Sequence, residues 1–250
     1  MPRMSDEILL SAADGVATIT INRPQKKNAL TAAMYGTMTQ ALLNYERDDS
    51  VRVVVLRGDK DFTAGNDLMD FISSGISDFS KAPPLVYLRA MHAFSKPIVA
   101  AVSGVAIGIG TTMLLHTDIA VAGESAKFAL PFVKLALVPE AAATLLLPHA
   151  IGLARAKRYL MTGETFTAQA AREMGIVADV VADEQLYELA QQHALSLAQL
   201  PTGALRETKR LLKLPLKEQI EKTMTVEAQS FAACISGDEF RAAAMKLMQR

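Results

Sequence analysis

Two glycine loops and one carboxylate carry the residues in this chain that could do chemistry. The first loop, residues 62–68, reads FTAGNDL and has Gly65 between an apolar strand pattern and a helical one. The second has Gly108 and Gly110 inside a long apolar run. Glycine allows unusual backbone angles and close approach, and a helix that starts at such a turn presents free N–H groups and the positive end of its dipole. The second loop is therefore predicted to bring backbone N–H groups close to another group, whereas the first, taken alone, is better explained as an ordinary strand-to-helix corner.

The carboxylate is Glu140, a lone acid at the end of an apolar stretch. Its neighbours in sequence include Leu137, Val138 and the alanines at 141–143, which would leave it partly desolvated. Desolvation disfavours the charged form, so we expect the pKa of Glu140 to shift upward, towards about 6 to 7, where a carboxylate is an effective general base. The alternative is an acid in the first turn of a helix, favoured by the helix dipole. Sequence spacing alone favours this second interpretation.

Other chemistries lack their sequence signatures. No Lys-Ser or Lys-Thr follows the glycines, and the third glycine of a dinucleotide fingerprint is absent. Ser103 lacks a G-x-S-x-G setting, so a serine hydrolase is not predicted. The histidines are scattered and Cys234 is the single cysteine, so no metal site is predicted. The uncharged run 98–115 is borderline in length for a membrane span, but Ser, Gly and Thr interrupt it and favour a buried strand that enters a buried helix at 111–115.

The composition points away from nucleic acid and from secretion. Lys and Arg together number 26, as do Asp and Glu, so the formal net charge is zero and gives no electrostatic indication of a nucleic-acid partner. One cysteine indicates that there is no internal disulfide. The amino terminus has no long apolar signal segment, and the carboxy terminus KLMQR has no peroxisomal address. We expect a cytoplasmic protein without nucleic-acid or membrane partners.

The order of hydrophobic patterns predicts an α/β fold. An Asp-Gly pair at 14–15 joins two strand patterns as a hairpin, and Thr31 is a plausible N-cap for the next helix. Strand, helix and strand then follow in succession, and the last strand is predicted at 176–181, after a helix that Thr167 caps. From about residue 183 only helical patterns occur, at 184–200, 205–214, 216–234 and 238–249. We therefore divide the chain into a core, 1–198, and a carboxy-terminal helical region, 199–250.

Three segments in the same order resemble the crotonase (enoyl-CoA hydratase/isomerase) superfamily. They are FTAGNDL, SKPIVAAVSGVAIGIGTTMLLHTDIAVAGESAKFALPFVKLALVPE and MTGETFTAQAAREMGIV, and the resemblance runs over about residues 8–181. It implies a crotonase-like ββα spiral core with a carboxy-terminal helical trimerisation region. It also implies an acyl-CoA thioester as substrate, no separate cofactor, and a homotrimer or a dimer of trimers.

The resemblance also implies which residues bind the substrate. The backbone N–H groups of Asn66 and Ile109 would hold the thioester oxygen as it becomes negative, and one such donor is typically worth about 3 to 4 kcal/mol of barrier. Lys26 lies in a loop that approaches the coenzyme A phosphates in relatives. Asp67 is also explained as a structural capping or pairing residue. The remaining substrate contacts are expected at Ala64, Gly65, Asp67, Leu68, Gly108 and Phe132.

The reaction is not fixed by the family alone. Hydratases of the superfamily carry two glutamates at places that Thr112 and Phe132 occupy here, and neither residue titrates. The segment PFVKLALVPE is similar instead to the peroxisomal-type 3,2-enoyl-CoA isomerase branch, which implies that Glu140 is the single acid/base. The alternatives are hydration or another crotonase-type reaction, and a catalytically silent protein that binds CoA thioesters. The alanines at 141–143 replace the usual glycines or small polar residues and are expected to narrow the acyl pocket.

Overall fold

The computed structural model describes residues 7–73 and 81–248. Most of the amino-terminal segment and the last two residues, to which the predictions about targeting signals apply, lie outside these ranges. In the described part of the chain, no helix is both long and apolar enough to cross a bilayer. The uncharged run is instead a strand, Ile98–Val102, that is buried along its whole length, followed by the short helix Ile109–Thr112.

Six strands form the main sheet, and their order across it is β1 (Ile8–Ala13), β2 (Val16–Ile21), β3 (Val53–Gly58), β4 (Ile98–Val102), β6 (Ile119–Gly123) and β9 (Asp179–Val181). The first two make the predicted antiparallel hairpin, in which both turn residues, Asp14 and Gly15, have positive φ. The remaining neighbours pair in parallel.

A smaller sheet of three strands carries one of the two glycine loops. Its order is β5-β7-β8, with β5 (Val105–Ile107), β7 (Lys127–Ala129) and β8 (Thr165–Thr167). Only two residues, 103 and 104, separate β4 from β5. The chain therefore leaves the main sheet, enters the second sheet and reaches the Gly108 turn within a few residues, which places that turn at the junction of the two sheets.

Helices cover both faces of the main sheet, and two of them begin where the sequence predicts. Thr31 accepts a hydrogen bond from Met34 N over 3.3 Å, and Thr167 accepts one from Ala170 N over 3.2 Å, so both act as N-caps. The helices are α1 (Ala32–Arg47), α2 (Leu68–Ser73), α3 (Pro83–Ala93), α4 (Ile109–Thr112), α5 (Ala143–Ile151), α6 (Leu153–Thr162), α7 (Ala168–Glu173), α8 (Leu186–Gln199), α9 (Thr202–Lys213), α10 (Lys217–Ser236) and α11 (Asp238–Met248).

The back of the main sheet is covered by α8. Valines of four strands face a stripe of one leucine and three alanines on this helix, and small side chains at helical spacing let a helix lie close to a sheet. The valines are Val16, Val53, Val55, Val99 and Val121, and the helix residues are Leu186, Ala190, Ala194 and Ala198. The predicted division after residue 198 falls at the last turn of this helix, and it stays a prediction.

The opposite face holds the larger core, to which the carboxy-terminal helices contribute. Ile220, Met224 and Phe231 of α10 are buried in the same hydrophobic cluster as Leu85 and Leu88 of α3. Lys209 of α9 is also buried and donates to Asp118 Oδ2 over 2.6 Å. The helical region therefore packs onto the core and supplies part of the wall around the site described below.

Several predicted elements differ from the observed ones at their ends, and α9 begins at Thr202 rather than at 205. The last strand begins at Asp179 rather than at 176, because the N–H groups of Ile176 and Val177 bond to Ala171 O in a turn after α7. The helix predicted at 111–115 is a single α-turn, Ile109–Thr112, that tightens into a 3-10 turn, Met113–His116. Helix ends commonly tighten in this way.

Candidate active site

The FTAGNDL loop is joined to the edge of β5 as an extra extended segment. Thr63 N donates to Val105 O over 2.9 Å, and Ile107 N donates to Thr63 O over 3.0 Å. The Thr63 hydroxyl is buried, donates to Asn28 O over 2.7 Å and accepts from Gly65 N over 3.0 Å. The loop is thus held at defined hydrogen-bonding distance from the strand that leads into the second glycine turn.

Glycine is required where the two loops touch. Gly65 has φ of 95°, and a Cβ atom there would lie 2.8 Å from Ile107 O. A Cβ atom on Gly110 would lie 2.9 Å from Thr63 O. Real Cβ atoms do not approach backbone oxygens this closely, so any larger residue would push the loops apart. The first loop is therefore more than an ordinary strand-to-helix corner.

Each loop presents one of the two predicted oxyanion donors. Leu30 N donates to Gly65 O over 2.8 Å and Asp67 N donates to Leu30 O over 2.9 Å, so the intervening N–H of Asn66 points away from Leu30. Ile109 is the first residue of α4, and its N–H precedes the first intrahelical donors, because Thr111 N and Thr112 N both bond to Gly108 O. Their role as donors to a thioester oxygen stays a prediction.

A small pocket, with a cavity volume of about 40 Å³, brings Asn66 and Glu140 together. Its walls come mainly from α3 and α10 and are apolar apart from these two residues. Of the three alanines expected to narrow the pocket, only Ala141 is among the lining residues. The lining residues are Asn66, Ala82, Pro84, Leu85, Leu88, Glu140, Ala141, Met224, Ala228 and Phe231.

Glu140 lies in this apolar surrounding with one hydrogen bond to its carboxylate among the described residues. The donor is the Thr112 hydroxyl, 2.5 Å from Glu140 Oε1. Burial raises the pKa of Glu140 to about 8; the Thr112 hydrogen bond opposes this rise and the negative charge of Glu227 adds to it. The direction agrees with the sequence prediction, and the pKa lies above the predicted range of about 6 to 7. A carboxyl group with such a pKa is suited to accept a proton near neutral pH.

Tyr35 of α1 is a site residue that sequence reasoning missed. Its hydroxyl donates to Asn66 Oδ1 over 2.5 Å, and the side chain is 1% exposed. Burial raises the pKa of Tyr35 well above its ordinary value, with smaller contributions from the charges of Glu140 and Tyr87. The hydroxyl therefore stays protonated and anchors the Asn66 side chain. Tyr35 lies three residues before Met38 and seven before Leu42, on the same helix face, so the α1 stripe could have pointed to it.

Asp67 has a structural role through its side chain. It accepts from Arg23 Nη1 over 2.7 Å and from Met69 N over 3.0 Å, and so pairs with Arg23 and caps α2. Burial alone would raise the pKa of Asp67, but the hydrogen bonds from Arg23, Asp70 and Met69 outweigh it and lower the pKa. This agrees with the structural explanation, and a substrate contact by Asp67 stays a prediction.

The other predicted substrate residues surround the two loops. Lys26 is exposed at the end of a 3-10 turn, Pro24–Lys26, whose loop is attached to the site because Ala64 N donates to Lys27 O over 2.9 Å. Leu68 is the first residue of α2. Phe132 is buried, and its ring lies 4.0 Å from where a Cβ atom on Gly108 would be. These substrate contacts remain predictions.

The part of the chain that the structure describes contains no set of side chains arranged to bind a metal ion. Within residues 7–73 and 81–248, no three or more His, Cys, Asp and Glu side chains cluster in a way that could hold a metal ion. Nε2 of His116 lies 2.8 Å from Ala141 O, in the residue that follows Glu140. Burial lowers the pKa of His116 to about 4, so the ring is neutral near pH 7 and its N–H serves to hold that carbonyl.

The fold and these loops define an enzyme of the crotonase superfamily. The model of the enoyl-CoA hydratase/isomerase family matches residues 11–249, and the chain therefore belongs to this family, whose members act on acyl-CoA thioesters. The resemblance found in the sequence is confirmed. Among solved structures, Pseudomonas aeruginosa OdaA superposes with a TM-score of 0.95 at 37% identity, covering 98% of this chain and 100% of that one.

Curated relatives catalyse more than one reaction, to judge from their names. The chain is 38% identical to 1,2-epoxyphenylacetyl-CoA isomerase of Escherichia coli, over 81% of this chain and 80% of that protein. It is 33% identical to 2,3-dehydroadipyl-CoA hydratase of the same organism, over 90% and 89%. It is 33% identical to mouse peroxisomal enoyl-CoA delta isomerase 3, over 93% and 74%. Similarity thus shows the family, and the individual reaction has to be inferred from the residues of the active site.

Proposed function

We propose that this protein is a 3,2-enoyl-CoA isomerase in which Glu140 is the single acid/base. One observation carries the proposal: among the described residues that line the apolar pocket, Glu140 is the only one with a titratable side chain, and it shares the pocket with Asn66. Moving a double bond needs a proton to leave one carbon and return to another two bonds further along. One carboxyl group placed over both carbons is sufficient for that transfer.

The proposed reaction balances without a cofactor. Ionised Glu140 takes a proton from C2 of a 3-enoyl-CoA, and the C2–H electron pair becomes part of a conjugated dienolate. The negative charge develops on the thioester oxygen, where the N–H groups of Asn66 and Ile109 stabilise it. Protonated Glu140 then delivers the proton to C4, which leaves the double bond between C2 and C3. The coenzyme A moiety is part of the substrate throughout.

Hydration is the alternative reaction, and the groups around Glu140 do not favour it. Addition of water calls for a second group to handle the water protons. The Thr112 hydroxyl already donates to Glu140, and Phe132 is a buried aromatic ring.

Two further alternatives concern the substrate and the absence of catalysis. The 38% identity to 1,2-epoxyphenylacetyl-CoA isomerase makes 1,2-epoxyphenylacetyl-CoA a second candidate substrate for the same site. A silent CoA-binding protein remains the candidate from outside enzyme chemistry.

We also propose a cytoplasmic homotrimer, or a dimer of trimers, with a place in fatty-acid oxidation. Support for the assembly comes from the end of α9 and the turn after it, where Leu211, Leu212 and Leu214 are 51%, 77% and 53% exposed in the single chain. Exposed leucines close together are typical of an interface. Light scattering coupled to size exclusion tests the assembly, since a monomeric mass would contradict it.

The reaction is tested with 3-hexenoyl-CoA by following the absorbance of the conjugated 2-enoyl thioester. Wild type should turn over, and Glu140→Gln should lose about 10²- to 10⁴-fold in kcat, the usual contribution of a general base. Glu184→Gln, the same change at an exposed position of the turn before α8, is the matched control. Activity retained in Glu140→Gln would rule out Glu140 as the base.

Parallel assays separate the alternatives. Crotonyl-CoA with detection of 3-hydroxyacyl-CoA measures hydration, and 1,2-epoxyphenylacetyl-CoA measures the second isomerisation. Product from either one, without conjugation of 3-hexenoyl-CoA, would replace the proposed reaction. Binding of a CoA thioester without any turnover would support the silent protein.

A further inference from the structure

A second carboxylate lies outside the pocket lining and is bound to the turn that carries Glu140. Glu227 of α10 is 6% exposed. Its Oε2 accepts from Ala142 N over 2.6 Å, and its Oε1 accepts from Thr144 N over 2.9 Å and from the Thr144 hydroxyl over 2.6 Å. One side chain of the helical region thus holds three donors in the first residues after Glu140.

The turn that Glu227 holds is strained. Ala141 and Ala142 have φ of 66° and 54°, in the left-handed region, which is unfavourable for a residue with a Cβ atom. Such a conformation persists only when the surroundings enforce it. Glu227 binds Ala142 N on one side, and the His116 ring lies 2.8 Å from Ala141 O on the other. Ala143 N closes the turn onto the carbonyl oxygen of Glu140 itself, over 3.1 Å.

We propose that Glu227 is a positioning residue that holds the Ala141–Ala142 turn and thereby aims the Glu140 carboxyl group into the pocket. The inference rests on the proposed function of Glu140 as the acid/base. Glu227 does not line the pocket, so it acts through the turn and through its charge. Its sequence signal was an acid at helical spacing from Ile220, Met224 and Phe231, on the apolar face of α10.

The charge of Glu227 acts in the same direction as burial on Glu140. Burial raises the pKa of Glu227, and the hydrogen bonds from Thr144 and Ala142 offset only part of that rise. Both of its oxygens already accept N–H or O–H donors, which suits the ionised form, while Glu140 has the single hydroxyl donor of Thr112. Two carboxyl groups near each other do not ionise independently, so a charge on Glu227, which has three hydrogen-bond donors, makes ionisation of Glu140 harder.

Three other groups near Glu140 and its turn could also change the pH at which Glu140 ionises. Tyr35 faces Glu140 from α1 and stays protonated because burial raises its pKa. Thr112 faces it from α4 and is uncharged. His116 contacts the same turn from the 3-10 segment and is neutral, because burial lowers its pKa to about 4. Of all these groups, Glu227 is the one whose hydrogen-bond donors, Ala142 N, Thr144 N and the Thr144 hydroxyl, favour an ionised side chain.

Glu227→Gln tests the charge. The amide has nearly the same shape but carries no charge and cannot accept from both Ala142 N and Thr144 N. The pH profile of kcat/KM should therefore move its acidic limb to lower pH, because the like charge beside Glu140 is gone, while kcat falls. Glu218→Gln on the same helix, at an exposed position, should leave both unchanged. If Glu227 only capped α5, the variant would lose stability and keep the wild-type pH profile, which would overturn the inference.

Glu227→Asp tests whether the length of the Glu227 side chain matters. It also covers the case in which Glu227→Gln does not fold. The charge is retained, but the side chain is one methylene shorter, so the hydrogen bonds to Ala142 and Thr144 lengthen or break. The acidic limb should stay near its wild-type position while kcat falls by about 10- to 100-fold, as for a misplaced catalytic group. Wild-type kcat in Glu227→Asp would overturn the positioning role.

An infrared titration separates failure of this inference from failure of the proposed function. The stretching band of the protonated Glu140 carboxyl is identified by its loss in Glu140→Gln, and its disappearance with rising pH reports ionisation without any substrate. In Glu227→Gln that band should disappear at lower pH than in wild type. This shift decides the role of Glu227 even if 3-hexenoyl-CoA is not turned over, and an unshifted titration would overturn it.

Discussion

The Thr112 hydroxyl donates to Glu140 Oε1 over 2.5 Å, and it reaches across from the first turn of α4. Thr112 is fully buried, whereas Glu140 is partly exposed where it lines the pocket. Thr112 occupies a place where, by the family resemblance, hydratases carry a glutamate. In this chain the same place supplies a neutral donor, which stabilises the ionised form of one base rather than adding a second acid.

Thr112→Val should raise the pKa of Glu140, so that Glu140 acts as a base only at higher pH. The Thr112 hydrogen bond lowers the pKa of Glu140 against the effect of burial, which raises it to about 8. Without the hydroxyl the pKa rises further. A base must be ionised to act, so the acidic limb of kcat/KM should move to higher pH and activity near pH 7 should fall about 10-fold, the effect of one hydrogen bond to a charged group.

The control for this prediction is Thr37→Val, which removes an exposed hydroxyl from α1. It should leave the pH profile in place. A limb that stays still or moves to lower pH in Thr112→Val would show that the hydroxyl does not stabilise the ionised carboxylate.

Glu140→Gln should be more stable than wild type, and increasingly so with rising pH. Burial raises the pKa of Glu140 from 4.5 to about 8 in the folded protein. Between these values the folded state binds more protons than the unfolded state, so wild-type stability falls as pH rises through that window. Glutamine does not titrate, so the stability difference should be small near pH 4.5 and reach roughly 3 to 5 kcal/mol above pH 8.

Urea unfolding of both proteins at several pH values and one fixed protein concentration measures this difference. Glu184→Gln controls for the loss of a surface charge. A constant difference across the window would mean that the folded environment does not disfavour the charged form of Glu140.

The sequence was sufficient to predict the elements that depend on residues close together in the chain. The hairpin at Asp14–Gly15 and the caps at Thr31 and Thr167 follow from side chains that bond within a few residues. The glycine loops could be found for the same reason, since Gly65 and Gly110 are needed by the backbone itself. The apolar neighbours of Glu140 in sequence were enough to predict the direction of its pKa.

The remaining parts of the site depend on contacts between distant segments. Tyr35 bonds to a residue 31 positions later, and Glu227 bonds to one 85 positions earlier. Neither contact leaves a short sequence motif, and both arise when amphipathic helices pack on the core. The pocket walls also come from two helices far apart in sequence, α3 and α10. Periodicity predicts that such helices have buried faces, but it does not tell which faces meet.

Gly65→Ala should separate the two loops and reduce catalysis. The new Cβ atom would lie 2.8 Å from Ile107 O, and φ of 95° is unfavourable for alanine. Relief of this contact moves the Asn66 N–H, so kcat should fall about 100-fold, with a loss of about 1 to 3 kcal/mol in stability from backbone strain.

Gly36→Ala is the matched control, because a Cβ atom there meets nothing within 4 Å in the middle of α1. It should keep full activity and gain about 0.5 to 1 kcal/mol in helix stability. Equal kcat in both variants would contradict the placement of the Asn66 amide at the reacting oxygen.

Ala228→Leu should shorten the range of acyl chains that the enzyme accepts. Ala228 is a partly buried residue of α10 and lines the apolar pocket beside Met224 and Phe231. Leucine adds three carbons into that space, so KM should rise more for long 3-enoyl-CoA substrates than for short ones, while kcat for the shortest stays near wild type. Steady-state kinetics over a chain-length series measures this split. Ala233→Leu, an exposed position on the same helix, should change neither, and an equal KM increase at every chain length would place the acyl chain elsewhere.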